Sequence, residues 1–365
     1  MSKKILVIRF SAMGDVAISA PLVMEYARRN SQADFYMLSQ PRYQAMFEPV
    51  GLSAADNILN LHYIGASTNR SSKEYCGSVA GLWKLSGRLI KEFGITDIAD
   101  IHGVLRSRIL SLFLIVRSAF KGRRIRRKEI DKHRAERRAL CRQKGKILAP
   151  ITPSQRCMEE VFAALGLGDL HFAEQARQVV EKRAPAPQKI FRIGIAPFAG
   201  HKGKEYPAPL MEEVIKMLTL NKKEGEAPLP QVKIFLYGGG KRETEIMQKW
   251  AEIYPDTHLM AGNHSLKEEL QSMQQLDIML SMDSANMHLA SLVGTRVLSV
   301  WGATHPFAGF NGYGQPLSSA IQATLPCRPC SIYGAKPCTQ GNYPCLYAIS
   351  PEEIVNRLVR SLSSL

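Results

Sequence analysis

The chain has 365 residues, too many for one ordinary hydrophobic core, and suits two domains of roughly 150–180 residues each. Its 45% hydrophobic and 22% charged residues belong to a globular protein, and no apolar run approaches the ~18–20 residues of a membrane span. The net charge of +16 is local: residues 117–146 hold 14 Lys or Arg against Glu129, Asp131 and Glu136, a net +11 in one segment.

The chain opens Met1-Ser2-Lys3-Lys4, without the long apolar stretch and cleavage site of a signal peptide, so a cytoplasmic location with reduced thiols is expected. Residues 4–10 read as a short buried strand running into Ser11-Ala12-Met13-Gly14-Asp15, a small-residue turn, then a helical stretch broken by Pro21. Without G-x-G-x-x-G this is no dinucleotide fingerprint; instead the carboxylate of Asp15 sits where a strand's carboxyl end faces a crevice. A capping role for Asp15 is the plainer alternative. Apolar runs at 33–38, 57–61 and 95–101, alternating with helical stretches, favour βαβ units and a parallel sheet.

The basic segment 117–146 follows. Phe120 is its sole aromatic residue, which argues against a nucleic-acid stacking groove. An anionic membrane surface or glycolipid phosphate suits it better, and a solvated charged helix is the alternative. A helix is expected over 154–165, ending at Gly166, and a hinge at Ala184-Pro185-Ala186-Pro187. The domains are therefore drawn as 1–183 and 190–350.

The second half restarts the α/β pattern. Strands are expected at 190–196, 231–237, 277–282 and 297–300, with helices at 211–218, 243–254, 266–275, 288–293 and 351–365. Gly238-Gly239-Gly240 ends one strand without the Gly-Lys-Ser/Thr tail of a P-loop. It lets backbone approach a nucleotide closely, with Arg242 or Glu243 in reach of a ribose. The most telling stretch is Met282-Asp283-Ser284-Ala285-Asn286-Met287-His288, a strand, a small polar turn and a helix start. That unit aims backbone N–H groups at a phosphate or pyrophosphate; helix capping by Asp283 or Ser284 is the compatible alternative. The spacing Cys327-x2-Cys330-x7-Cys338-x6-Cys345 permits a structural zinc site of four thiolates, or simply a loop of buried thiols.

Taken together, the Ser11–Asp15 turn and the Asp283–His288 unit, extended by Val300-Trp301-Gly302-Ala303-Thr304-His305-Pro306, resemble two signatures of the ADP-heptose:lipopolysaccharide heptosyltransferases, glycosyltransferase family 9. Lys202-Gly203-Lys204-Glu205-Tyr206-Pro207 resembles that family's donor-phosphate loop. The matches run in the family's order over nearly the whole chain. The resemblance implies a GT-B fold: α/β, two Rossmann-like domains with parallel sheets facing a central cleft. The acceptor would bind the first domain and the ADP-sugar the second, and helix 351–365 would return to the first. It also implies Asp15 as the catalytic base and Lys204 as the charge beside the diphosphate. Around the donor it places Ala199 and Gly200 (where the family often has Thr or Ser), Asp283, Ser284, Ala285, Asn286 and His288, with His264 near the adenine.

The expected reaction is inverting transfer of a heptose-like sugar from an ADP-sugar to a lipopolysaccharide core or other anionic glycolipid, at the inner face of the cytoplasmic membrane. No Asp-x-Asp occurs, so no cofactor is expected and Lys204 stands in for a metal. An unperturbed Asp, with pKa ~3.9, is a poor base at neutral pH, so Asp15 needs an apolar setting or an acidified hydroxyl. An inactive nucleotide- or glycan-binding protein on the same scaffold is the alternative.

Overall fold

The computed structural model describes residues 2–48, 58–72, 75–170, 190–220 and 231–363; the expected hinge at 184–187 lies outside them. The backbone divides into two compact units, Met1–Lys132 with Ser154–Phe172, and His133–Pro153 with Ala173–Leu365.

The first unit contains β1 (Lys3–Ile8), α1 (Met13–Arg29), β2 (Ala33–Ser39), β3 (Leu61–Gly65), α2 (Val79–Arg88), β4 (Asp97–Asp100), α3 (Leu105–Ala119), β5 (Arg126–Glu129) and, after the excursion of 133–153, α5 (Ser154–Ala164). Its sheet is parallel in the order β3-β2-β1-β4-β5, with Ile5 beside Phe35 on one flank and Asp97 on the other. Ile5, Leu6, Val7 and Ile8 are wholly buried, as a strand covered on both faces requires.

Two elements depart from the sequence expectation. Helix α1 runs through Pro21 to Arg29. The lost hydrogen bond is outweighed by burial of Val16, Ile18, Leu22, Val23 and Tyr26, the last stacked on Phe162 of α5 at 4.4 Å. Strand β3 starts at Leu61, where a strand over 57–61 was expected. Asn60 instead anchors a turn, its amide donating to the carbonyls of Ala27, Asn30 and Ala33 at 2.9, 3.1 and 2.8 Å. Residue 57 lies outside the described residues.

The second unit contains α4 (Arg134–Leu140), β6 (Ile190–Ala196), α6 (Ala208–Leu220), β7 (Gln231–Leu236), α7 (Lys241–Ile253), β8 (Thr257–Leu259), α8 (Leu266–Gln274), β9 (Ile278–Met282), α9 (Ala285–Leu292), β10 (Val297–Val300), β11 (Ala320–Ile321), α10 (Pro344–Tyr347) and α11 (Pro351–Ser363). Its parallel sheet has the order β11-β10-β9-β6-β7-β8. Helix α11 was expected to return to the first domain. It packs instead on α6 and β9, with Ile354, Val355, Leu358 and Leu362 joining the second unit's core. The cause is its narrow apolar stripe, which matches the face of α6 carrying Met211, Val214, Ile215 and Leu218.

The basic segment is divided between the two units. Residues up to Lys132 belong to the first unit and those from His133 to the second. Within the first, Arg126 pairs with Asp97 at 2.6 Å, Arg127 with Asp100 at 2.9 Å, and Arg117 lies over the Trp83 ring at 3.7 Å. In the second, Arg137 lies over Phe310 at 4.8 Å and donates to the Tyr333 hydroxyl at 3.0 Å. These four arginines therefore serve the fold, while Lys121, Arg123, Arg124 and Lys128 are exposed.

Both sheets share one topological feature. In the first unit the chain steps outward from β1 to β2 and β3, then returns to β4 on the other flank of β1. In the second it steps from β6 to β7 and β8, then returns to β9 beside β6. Each reversal opens a crevice beyond the carboxyl ends of the two central strands, where ligands bind in open α/β sheets.

Candidate active site

In the first unit the crevice between β1 and β4 is lined by the turn after β1 and by His102. Asp15 stands in the first turn of α1, where its Oδ2 accepts a long 3.4 Å bond from the Ala12 N–H. The same oxygen meets Arg9 Nη2 at 2.5 Å. Arg9, 8% exposed, is fixed in turn by Nη1 donating to the Ile101 carbonyl at 2.7 Å, whereas Asp15 keeps 35% of its side chain open. A buried cation thus holds a half-open carboxylate at the end of the central strand. Capping and chemistry both remain open to Asp15.

His102, next to Arg9, accepts the Phe10 N–H through Nδ1 at 3.4 Å, so its proton sits on Nε2. Burial pushes its pKa down to about 3, Arg9 and Lys132 pushing the same way against Asp15, and the ring is neutral at ordinary pH. Asp100 Oδ1 accepts from the N–H groups of His102 and Gly103 at 3.2 and 2.9 Å, which fixes this turn after β4. Neither Arg9 nor His102 was singled out from the sequence. Arg9 could have been, since it is a charge inside a run that otherwise reads as core.

In the second unit, Lys204 Nζ meets Asp283 Oδ2 at 2.9 Å, and Thr304 donates to the same oxygen at 2.8 Å. Asp283 is 4% exposed and Lys204 17%, so the pair, just beyond β6 and β9, is largely shielded from water. The lysine loop is stitched to the exit of β10: Ala303 N–H donates to the Gly203 carbonyl at 2.7 Å. A Cβ on Gly302 would sit 2.4 Å from that carbonyl oxygen, and one on Gly334 only 2.6 Å from Lys204 Cγ. These two positions accept only glycine because backbone is pressed against the lysine loop and its stem. Arg328, 3% exposed, ties the surroundings together by donating to the carbonyls of Gly302, Trp301, Thr304 and Ala323.

Asp283 therefore does not cap α9. Nor does Ser284, whose hydroxyl meets Ser281 Oγ at 3.3 Å and makes no capping bond. The N–H groups of Ala285 and Asn286 open the helix without a side-chain cap, an arrangement that suits an anion. His288 is buried on the same helix.

The remaining predicted residues lie around β6 and β7. Gly200 is exposed, and Ala199 N–H points at Glu205 Oε2 at 3.5 Å. Glu205 also holds Arg242 at 2.8 Å, and the Arg242 guanidinium lies 5.5 Å over Phe198. Glu243 accepts from Gly239 N–H at 2.9 Å; burial raises its carboxyl pKa, with Glu205 adding and Gly239 and Arg242 opposing. A Cβ on Gly238 would meet Met247 at 2.7 Å. His264 is exposed, its Nδ1 3.0 Å from the Met260 carbonyl. Beyond it stands a residue that sequence reasoning missed: Glu269, pushed up to about 7 by burial, with His264 opposing. Nothing in its helical run Leu266-Lys267-Glu268-Glu269 distinguishes it from a solvated acid.

The zinc reading of Cys327, Cys330, Cys338 and Cys345 is not supported. None of the four thiols is in a disulfide, and among the described residues no group of three or more His, Cys, Asp or Glu is arranged to hold a metal. Cys345 is committed to the hydrophobic core, with burial pushing its thiol up to about 11. A cation already organises the loop: Lys146 Nζ donates to the carbonyls of Pro326, Cys327 and Pro329 at 3.3, 2.7 and 3.1 Å.

Residues 153–343 match the model of glycosyltransferase family 9 (heptosyltransferase). Lipooligosaccharide heptosyltransferase 2 of Campylobacter jejuni subsp. jejuni serotype O:2 is 22% identical over 128 residues, 34% of this chain and 39% of that protein. The chain thus spans about two fifths of the length of the curated relatives it matches. A glycosyl transferase family 9 structure from Veillonella parvula DSM 2008 superposes with a TM-score of 0.69 at 16% identity, covering 100% of this chain and 98% of that one. E. coli heptosyltransferase WaaC with ADP gives 0.63 at 15% identity, covering 98% and 99%, and E. coli ADP-heptose lps heptosyltransferase II gives 0.61 at 14%, covering 99% of each. At such identities the likeness is one of fold, the GT-B type of two parallel-sheet α/β units. By the family match, which spans more than half its length, this chain belongs to glycosyltransferase family 9, the heptosyltransferase family.

Proposed function

We propose that this chain is a metal-independent inverting glycosyltransferase that moves a heptose-like sugar from an ADP-sugar to a lipopolysaccharide core acceptor, working against the inner face of the cytoplasmic membrane. The observation that carries the proposal is the largely buried Lys204, in the loop after β6, held by Asp283 at the end of β9, beside the uncapped start of α9. Lys204 and the N–H groups of Ala285 and Asn286 would take the charge of the departing diphosphate. Asp15, held by Arg9, would take the proton of the acceptor hydroxyl as its oxygen bonds to the anomeric carbon and the opposite carbon–oxygen bond to ADP breaks. Gly238, Arg242, Glu243 and His264 would surround the nucleoside, and Glu269 would add a carboxyl that gains and loses its proton near neutrality.

The test is ADP release from ADP-heptose with a lipopolysaccharide core acceptor. Asp15→Asn keeps an oxygen for the Ala12 N–H and for Arg9 Nη2 but leaves the Arg9 charge uncompensated, so turnover should drop by about 10²-fold or more, and a circular-dichroism melt separates that loss from any loss of stability. Full activity in that variant would remove Asp15 from the chemistry. Activity abolished by EDTA and restored by magnesium would remove the metal-free mechanism. Donor binding with no ADP release from the wild type would favour a binding protein.

A further inference from the structure

Helix α3 buries Leu110 and Leu114 together with its serines, and exposes a second set of apolar side chains. Ser107 and Ser111 are wholly buried and Ser118 nearly so, whereas Leu105 is 74% exposed, Leu112 56%, Val116 36% and Phe120, at its carboxyl end, 86%. The buried hydroxyls are satisfied locally, Ser111 donating to the Ser107 carbonyl at 2.8 Å and Ser107 to the Val104 carbonyl at 2.9 Å. Residues 105, 112, 116 and 120 share one side of the helix by their spacing, so the exposed groups form a continuous stripe. Helix α2, packed alongside, adds exposed Val79 and Trp83; Trp83 meets Phe113 edge-on at 5.0 Å under the Arg117 guanidinium.

The charge around the stripe is basic in excess, although Arg108, Arg126, Arg127 and Arg88 pair with Glu129, Asp97, Asp100 and Glu92. From Leu105 to Lys128 there are nine basic residues and no acidic one, and α2 contributes Lys84 and Arg88, again without an acid. Arg106, Lys121, Arg123, Arg124 and Lys84 are exposed. The exposed Lys84, Arg106, Lys121, Arg123 and Arg124 would repel a second copy of the same face, and a nucleic acid has no use for the hydrocarbon stripe. A bilayer with anionic head groups satisfies both features: leucine, valine and phenylalanine enter the acyl boundary, tryptophan and arginine sit at the interface, and the lysines and arginines meet phosphate. No helix among the described residues is long and apolar enough to cross a membrane.

We propose that the α2–α3 face docks the first unit onto an anionic phospholipid bilayer. This rests on the proposed transfer to a lipid-borne acceptor and deepens it, naming the surface that brings the enzyme to that acceptor.

The test sediments the full chain, without donor or acceptor, with vesicles of phosphatidylcholine alone and with vesicles containing about one third phosphatidylglycerol. Wild type should sediment with the anionic vesicles and far less with the neutral ones. Leu112→Ser/Val116→Ser/Phe120→Ser should lower the bound fraction at least about tenfold with an unchanged circular-dichroism melt. Arg123→Glu/Arg124→Glu should erase the preference for anionic vesicles. Undiminished sedimentation of the triple variant overturns the proposal. So does a triple variant whose only change is a smaller mass by light scattering, which would mark a face between copies. With no sugar substrate present, Asp15→Asn should sediment like wild type, so a failed transfer reaction and a failed docking surface give different results.

Discussion

Asp283 is buried and Lys204 largely so, and each leaves the other's charge unbalanced if it is removed alone. Lys204→Ala should therefore cost about 3 kcal/mol of stability in the second unit and abolish ADP release, so on its own it cannot separate chemistry from folding. The paired variant Lys204→Met/Asp283→Asn can. Removing both charges at similar volume, with an acceptor kept for the Thr304 hydroxyl, should restore stability to near wild type by urea unfolding. Turnover should stay lost. Restored turnover would show that no ammonium is needed beside the diphosphate. The sequence marked Lys204 and Asp283 on separate motifs but not their contact. Thr304 lay in a quoted signature without a role, and it takes the Gly203–Gly302 approach to bring the two loops together. Arg9 was hidden inside a strand, and His102 follows a strand with nothing in its neighbours to signal a buried neutral ring.

At the scale of elements, parallel strands covered on both faces were easy to see, because their apolar runs are nearly continuous. β1, β2, β6, β7, β9 and β10 all fall close to where the composition set them. What failed was local propensity overruled by burial, as at Pro21, and partner choice, as at α11. An amphipathic helix announces one apolar face and does not say which surface will cover it. The partner observed makes a distinct prediction. Leu358 is wholly buried against the second unit's core, so Leu358→Ala should cost about 2–5 kcal/mol. Hydrogen exchange should show the loss in β6, β7 and β9 while β1 and β2 keep their protection. Lost protection in β1 and β2 would instead put the helix on the first unit.

The two units carry different titrating groups, and acid should distinguish them. His102 in the first unit has its pKa lowered to about 3, chiefly by burial, so between pH 6.5 and 3 the unfolded chain binds a proton that the folded one refuses. Stability from this group is complete above pH 6.5 and falls as the pH drops. His305 in the second unit, lowered to about 4 by burial with Arg328 and Lys146 adding, acts in the same direction. There it is opposed by Glu269: with a folded pKa of about 7 against an ordinary 4.5, it holds a proton when folded that the unfolded chain releases, so its contribution grows as pH falls from 7 to 4.5. Across pH 6.5 to 5 the two terms in the second unit offset each other, whereas the first unit loses about 2 kcal/mol through His102. Hydrogen exchange corrected for intrinsic rates should show β1, β2 and β4 opening first on acidification to pH 5. His102→Asn, which keeps an acceptor for the Phe10 N–H but cannot take the proton, should flatten that loss. Glu269→Gln should make the second unit acid-sensitive as well. If the strands of both units open together in the wild type and neither variant changes the order, burial of these three side chains does not control the acid response.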